Sequence, residues 1–162
     1  SDITAQECRQ FLGRPVDVVT PNGFEPSFTP ATDEEYDVKR EAARKKLLDV
    51  AAAMCGEEVP ENAVLVGIGG RYEWKNKGID VFIDALDKLN HTEFEGKCVH
   101  AFIMIPSGHN GPDKQLISKL AGNPSGYVTR TSHYLMNPEY DAVMNRPNAL
   151  NFNNALGDKV KV

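Results

Sequence analysis

Apolar residues along the chain follow two periods. Behind "TDEE" at 32–35, Tyr36, Ala43, Leu47, Ala51 and Met54 recur at helical spacing. "TDEE" itself has the form of a capping box, in which a hydroxyl and a carboxylate each satisfy a first-turn N–H, and Gly56 supplies the stop. Ile79, Phe82, Ile83, Leu86 and Leu89 mark a second amphipathic helix. Two runs break this period. "AVLVGIGG" at 63–70 and "VHAFIMI" at 99–105 are almost continuously apolar, the form of a parallel strand covered on both faces.

Weaker signals fill the intervals. "TAQE" at 4–7 predicts a capped helix to Leu12, with Gly13 as its stop. "VDVV" at 16–19 is a short strand candidate, and "TPNGFEPSFTPAT", with three prolines and an Asn-Gly, is loop chemistry. Helices are expected over 113–121 and within 138–150, where Pro147 obscures the end. Short strands are expected in "GYVTR" at 126–130 and at 159–162. Alternation of this kind predicts a doubly wound α/β domain with a mostly parallel sheet.

Composition narrows the partners. The 162 residues fit one compact domain. A net charge of -5 and a pI near 5.4 argue against non-specific nucleic-acid binding, which needs a basic face. Cys8, Cys55 and Cys98 are odd in number and scattered, a pattern of a reducing compartment rather than of a disulfide framework. No apolar run approaches the ~20 residues of a membrane-spanning helix, and no signal peptide is visible. The missing initiator methionine and the strand-like "KVKV" ending lead to the expectation of a piece excised from a longer protein.

Against that acidic background, "VGIGGRYEWKNKG" at 66–78 concentrates Arg71, Lys75 and Lys77 where a strand turns into a helix. In doubly wound sheets ligands bind beyond the carboxyl ends of the strands. Gly67, Gly69 and Gly70 permit close backbone approach. The N–H groups of the helix starting near Gly78 favour an anion. Arg71 offers a bidentate fork for phosphate and Lys77 a mobile point charge. Neither named phosphate motif fits: there is no Gly-Lys-Ser/Thr, and Tyr72 stands where a dinucleotide fingerprint needs its third glycine. On these residues alone the stretch is either a phosphate cradle or a glycine-bounded turn with solvated cations.

Other chemistry is weaker. Cys98 and His100 share a strand face but lack further metal ligands, which favours core packing. Ser107 follows a strand without a Gly-x-Ser-x-Gly elbow. His109 reads as a loop residue, His133 as structural or helix-capping. Asp80, Asp84 and Asp87 read as the wet face of a helix. Asp113 and Glu139 have no better claim, Trp74 packs the loop, and Lys75 is a surface lysine.

The segment "GRYEWKNKGIDVFIDALDKLN" closely resembles the glycogen synthases of the animal and fungal type (glycosyltransferase family 3), retaining enzymes of the two-domain GT-B fold. That family carries Gly-Arg-Tyr-Glu-aromatic-Lys-Asn-Lys-Gly at this turn, matched here from Gly70 to Gly78. "SDITAQE" resembles a segment near the end of the family's acceptor domain, and "PNGF" at 21–24 its interdomain crossover. "AFIMIP", "SHYLMNPEYDAVMNR" and "NNALGDKVKV" resemble later elements in order. The resemblance implies that residues 1–24 belong to the end of the acceptor domain and the crossover. Residues 25–162 would form the first part of a Rossmann-like nucleotide-sugar-binding domain, a mostly parallel sheet flanked by helices.

The same resemblance implies transfer of glucose from a nucleotide diphosphate glucose, usually UDP-glucose, to the non-reducing end of an α-1,4-glucan, with retention. Neither metal nor cofactor is implied, and the setting is cytoplasmic glycogen biosynthesis. Arg71 and Lys77 match the family's donor-phosphate cations. Its paired glutamates and its Tyr-Glu-Pro-Trp-Gly-Tyr region fall downstream of residue 162, so no catalytic residue is expected within the chain, which would be inactive alone. The interval between "IPSG" and "SHYL" is much shorter than the family's helical insertion, so its tetramer assembly is not carried over; self-association through exposed sheet edges is expected instead. The alternatives are a non-catalytic sugar-nucleotide or phosphate-binding module, or an assembly domain with a vestigial pocket. UDP and ADP are not distinguished by these residues.

Overall fold

A computed structural model describes residues 1–123 and 126–162. They fall into two compact units, Ser1–Arg40 and Glu41–Val162. The first unit contains helix α1 (Asp2–Leu12), a single 3-10 turn at Pro26–Phe28, and the start of helix α2 (Asp33–Cys55). Ser1 rather than Thr4 caps α1, its hydroxyl accepting from the Thr4 N–H at 3.3 Å. The helix thus starts earlier than "TAQE" implies, because Ser1 offers the same cap three residues ahead of Thr4. Gly13 closes α1 with a left-handed φ of 69° and an N–H to the Arg9 carbonyl. "VDVV" forms no strand: it joins no ladder among the described residues, and Val18 is 74% exposed.

The second unit carries the expected alternation. The carboxyl half of α2 leads to β1 (Val64–Gly69), α3 (Ile79–Asn90), β2 (Val99–Met104), β3 (His109–Pro112) and α4 (Lys114–Leu120). β4 (His133–Leu135), α5 (Ala142–Ala149) and β5 (Val160–Lys161) complete it. The main sheet is parallel throughout, in the order β1-β2-β5. This is a partial Rossmann-like sheet flanked by helices. Leu86, Val99, Ala101, Phe152 and Val160 form its buried core, with Val66, Phe82 and Leu150 packed against them.

Three local readings change. β1 stands at an edge with β2 as its sheet neighbour, and its apolar run is not covered on both faces: no residue of the strand is buried, and Val64 is 41% exposed. "GYVTR" is not a strand: Thr129 donates its N–H to the Met54 carbonyl at the end of α2, and Tyr127 donates its hydroxyl to Asp113. Those bonds take the segment out of any ladder. The second sheet is instead the antiparallel pair β3–β4, irregular between His109 and Pro112. Pro147 is buried inside α5, which runs to Ala149; beyond it Asn151 is left-handed at φ 56° and the Phe152 N–H closes on the Pro147 carbonyl at 2.9 Å. The "TDEE" box forms, with a shift: Thr32 Oγ1 accepts from Glu35 N–H at 3.2 Å, and the Glu35 carboxylate reaches Ala31 N–H at 2.8 Å.

Candidate functional site

β1 ends at Gly69, and the chain then makes a hydrogen-bonded turn before α3 begins at Ile79. Gly70 has φ 146° and Gly78 φ 66°, conformations that a side chain would strain. Between them, Glu73 N–H bonds the Arg71 carbonyl at 2.8 Å and Lys77 N–H the Glu73 carbonyl at 2.9 Å. Gly78 N–H then reaches the Lys75 carbonyl at 3.0 Å. The order strand, glycines, cations, helix is therefore built as read, and the turn is rigid from within. Gly78 serves as N-cap of α3 without a side chain to occupy the cap position.

The cations divide. Arg71 is 78% exposed at its side chain and pairs with Glu73 at 3.0 Å. An exposed pair of this kind is worth about 0–1 kcal/mol. Lys75 is at the surface as read, but its ammonium is tied to Asp80 at 2.6 Å. Lys77 is exposed and has no charged partner among the described residues.

The aspartates of α3 are more than a wet stripe. Asp84 receives a two-pronged contact from Arg146 of α5, at 2.6 and 2.8 Å. Arg146 hydrogen bonding holds the Asp84 carboxyl below the usual carboxylate range. Lys75 does the same for Asp80. Asp80 and Asp87 keep only 15% and 18% of their side chains exposed, and each has a covered Oδ1 without a hydrogen-bond partner among the described residues. Spacing placed the three residues on one face; it carried no information about Arg146, 62 positions away from Asp84.

Along β2, from His100 to Met104, and between the carboxyl half of α2 and α5 opens a cleft of about 610 Å³, with Tyr72 of the turn in its wall and no residue of β1. Leu47, Val50 and Met54 of α2, Phe102 and Met104 of β2, and Val143 and Met144 of α5 make it apolar. Tyr72, Ser107, His109, Ser132, His133 and Asp141 supply its polar edge. Of the motif residues only Tyr72 lines it; Arg71 and Lys77 do not. Tyr72, to which the sequence assigned no role, accepts the Val143 N–H at its hydroxyl, 3.2 Å away.

The remaining candidates resolve into structure. His109 and His133 lie on the paired strands β3 and β4 with ring centroids 4.4 Å apart. His100 is buried, as core packing requires, and burial pushes its imidazole below the ordinary value. Asp113 is 2% exposed and caps α4, accepting from Gln115 N–H at 2.9 Å and Leu116 N–H at 3.2 Å. The hydroxyls of Tyr127 and Tyr134 also donate to it. Burial opposes its ionisation, but these donors outweigh burial and hold the carboxyl below its usual range. No local motif announced this hub, since its tyrosines lie 14 and 21 positions downstream. The three cysteines are free, and burial pushes the Cys55 thiol up, away from nucleophilic use. Among the described residues no three His, Cys, Asp or Glu side chains are placed to hold a metal ion. No helix among them is long and apolar enough to cross a membrane.

Comparison with known proteins places the turn in context. A family model described as glycogen synthase matches residues 1–118, which include the whole cation turn and α3. A glycogen [starch] synthase of Neurospora crassa is 36% identical over 112 residues, 66% of this chain and 16% of that protein. Glycogen [starch] synthase isoform 2 of Saccharomyces cerevisiae is 34% identical over 116 residues, 68% of this chain and 16% of its own. The human liver glycogen [starch] synthase is 33% identical over 93 residues, 56% of this chain and 13% of its own. The chain thus spans about one sixth of the length of the fungal relatives it matches.

Proposed function

This chain belongs to the glycogen synthase family, and we propose that it forms the entry to the donor site of a retaining glucosyltransferase. The reaction proposed is transfer of glucose from a nucleotide diphosphate glucose, UDP-glucose in preference to ADP-glucose, to the non-reducing end of an α-1,4-glucan. Residues 25–162 contribute the first part of the nucleotide-sugar-binding domain, and residues 1–24 close the acceptor domain and cross over. The glutamates that act on donor and acceptor glucose belong to parts of the longer enzyme outside these residues. The enzyme works in the cytoplasm with its two substrates as partners.

The observation that carries this reading is the turn at 70–78. It combines two exposed cations, Arg71 and Lys77, with a rigid backbone and the start of α3 at the carboxyl end of a parallel strand. When the glycosidic bond breaks, negative charge grows on the departing nucleotide diphosphate. Fixed cations that meet this charge bind the transition state more tightly than the ground state, which raises kcat rather than lowering KM. Arg71 grips two phosphate oxygens through its fork, and Lys77 neutralises a third position as a point charge. Release of Glu73 frees the fork for this task.

The test is made in the complete enzyme, by glucose incorporated into glycogen from UDP-glucose and from ADP-glucose. A charge-assisted hydrogen bond to phosphate is worth ~1.5–3 kcal/mol, so Arg71→Ala or Lys77→Ala should lower kcat by roughly 10- to 150-fold or more, with a smaller change in KM. Arg71→Lys should recover part of the loss, keeping the charge without the fork. Lys75→Ala, which leaves Arg71 and Lys77 in place and removes the pair between the exposed Lys75 and the half-buried Asp80, is the control and should stay close to wild type. Wild-type rates in both alanine variants would return the turn to a glycine-bounded loop with solvated cations.

A further inference from the structure

We propose that Tyr72 is a positioning residue for the two cations: its hydroxyl fastens the turn that carries them to the amino-terminal end of α5. This deepens the donor-phosphate reading and rests on it. Tyr72 follows Arg71 directly, and its half-buried ring forms part of the cleft wall while Arg71 points away into solvent. Its oxygen accepts the backbone N–H of Val143, in the first turn of α5 and 71 positions away in sequence. That N–H is one of the donors a helix leaves unpaired at its start. The neighbouring Met144 N–H is taken by the Asp141 carboxylate at 3.0 Å. Tyr72 and Asp141 thus share the capping of α5, one supplied locally and one from across the domain.

The second attachment lies on the far side of the turn. Arg146, one helical turn further along α5, forks Asp84 on α3. α5 therefore holds the chain at Tyr72, before the cations end, and at Asp84, after α3 has begun. Between those points the backbone bonds from Glu73 to Gly78 leave little slack. A turn bracketed in this way presents Arg71 and Lys77 from a fixed backbone, as preorganised charge stabilisation requires. Loss of the Tyr72 hydroxyl releases the end of the bracket adjacent to Arg71 and leaves the other in place.

Tyr72→Phe tests this in the complete enzyme, since it keeps the ring on the cleft wall and deletes only what the hydroxyl does at the start of α5. Expected is a fall in kcat of roughly 3- to 10-fold, the size that one neutral hydrogen bond carries, with KM for UDP-glucose changed less than twofold. In an Arg71→Lys background the same deletion should cost less than twofold more, because residues acting through one another are not additive. Amide hydrogen exchange should speed up at Val143 and also at Glu73 and Lys77 within the turn. An unchanged kcat overturns the proposal. So does the same fold-loss in both backgrounds, or faster exchange at Val143 with the turn unaffected; each assigns the hydroxyl a structural role remote from the cations. Arg71→Ala at wild-type rate is a different failure, which removes the donor-phosphate reading and this inference with it.

Discussion

Helices α1 and α3 are 11 and 12 residues long, and they are built in opposite ways. α1 has good ends: a serine cap, an aspartate in the first turn, an arginine in the last and a left-handed glycine at the stop. It buries no residue. α3 opens on a glycine with no side-chain cap, yet buries Ile79, Ile83 and Leu86. End signals and burial are therefore separate properties of a sequence, and their magnitudes differ. A cap is worth about 1 kcal/mol, whereas truncating a buried isoleucine to alanine costs about 2–5 kcal/mol. The unit from Glu41 to Val162 owes its stability to the second kind of term, and the unit from Ser1 to Arg40 shows only the first.

The largest expected effect follows directly. Ile83 is 0% exposed, so Ile83→Ala should destabilise the second unit by about 2–5 kcal/mol, measured by urea denaturation. Ser1→Ala, which removes the cap of α1, should leave that transition where it was and increase amide exchange only over the first turn of α1. Equal shifts from the two changes would break the contrast between the helices.

The same distinction decides what the sequence disclosed. Strands β1 and β2 and helices α2 and α3 were legible because each announces itself within a window of a dozen residues: a period, a cap, a glycine stop. The cation turn was legible for the same reason, its glycines and cations being adjacent in sequence. What stayed hidden is pairing at a distance. The Val143 N–H meets Tyr72, Arg146 meets Asp84, and Tyr127 and Tyr134 meet Asp113 only after the chain has folded. β4 and the loss of the "GYVTR" strand belong to this class too, since Thr129 turns to Met54 instead of to a ladder. The edge position of β1 is set by sheet order, to which its own apolar run is blind.

A smaller effect separates the units by pH. In the second unit His100 is 4% exposed. Burial holds its imidazole below the ordinary 6.5, with Glu57 acting against that shift and Lys161 adding to it. A depressed histidine is protonated first in the unfolded chain. Its contribution to stability is therefore complete above pH 6.5 and erodes as pH falls below 6.5, until the folded form also takes the proton. A second loss follows in strong acid, below the ordinary carboxylate value of 3.8, as the depressed carboxyls of Asp80, Asp84 and Asp113 take up protons. Urea midpoints taken between pH 8 and pH 3 should show both steps, and His100→Gln should remove the first alone. A wild-type midpoint that is flat from pH 7 to pH 5 would mean that His100 takes up its proton in the folded chain as readily as in the unfolded one.

The smallest effect is expected at the surface of α1, and its smallness is the informative part. Phe11 is 78% exposed and Leu12 71%. Burying a phenylalanine fully gains about 1.5–3 kcal/mol, but side chains as wet as these collect almost none of it, because the unfolded chain exposes them to much the same extent. Phe11→Ala should therefore change stability by no more than about 0.5 kcal/mol, as surface substitutions do. The measurement is made at several protein concentrations, since burial between copies makes apparent stability depend on concentration. A loss near 2 kcal/mol that grows with concentration would show that Phe11 is covered by a second copy in solution, and α1 would then resemble α3 after all, with its buried face supplied by association instead of by its own sheet.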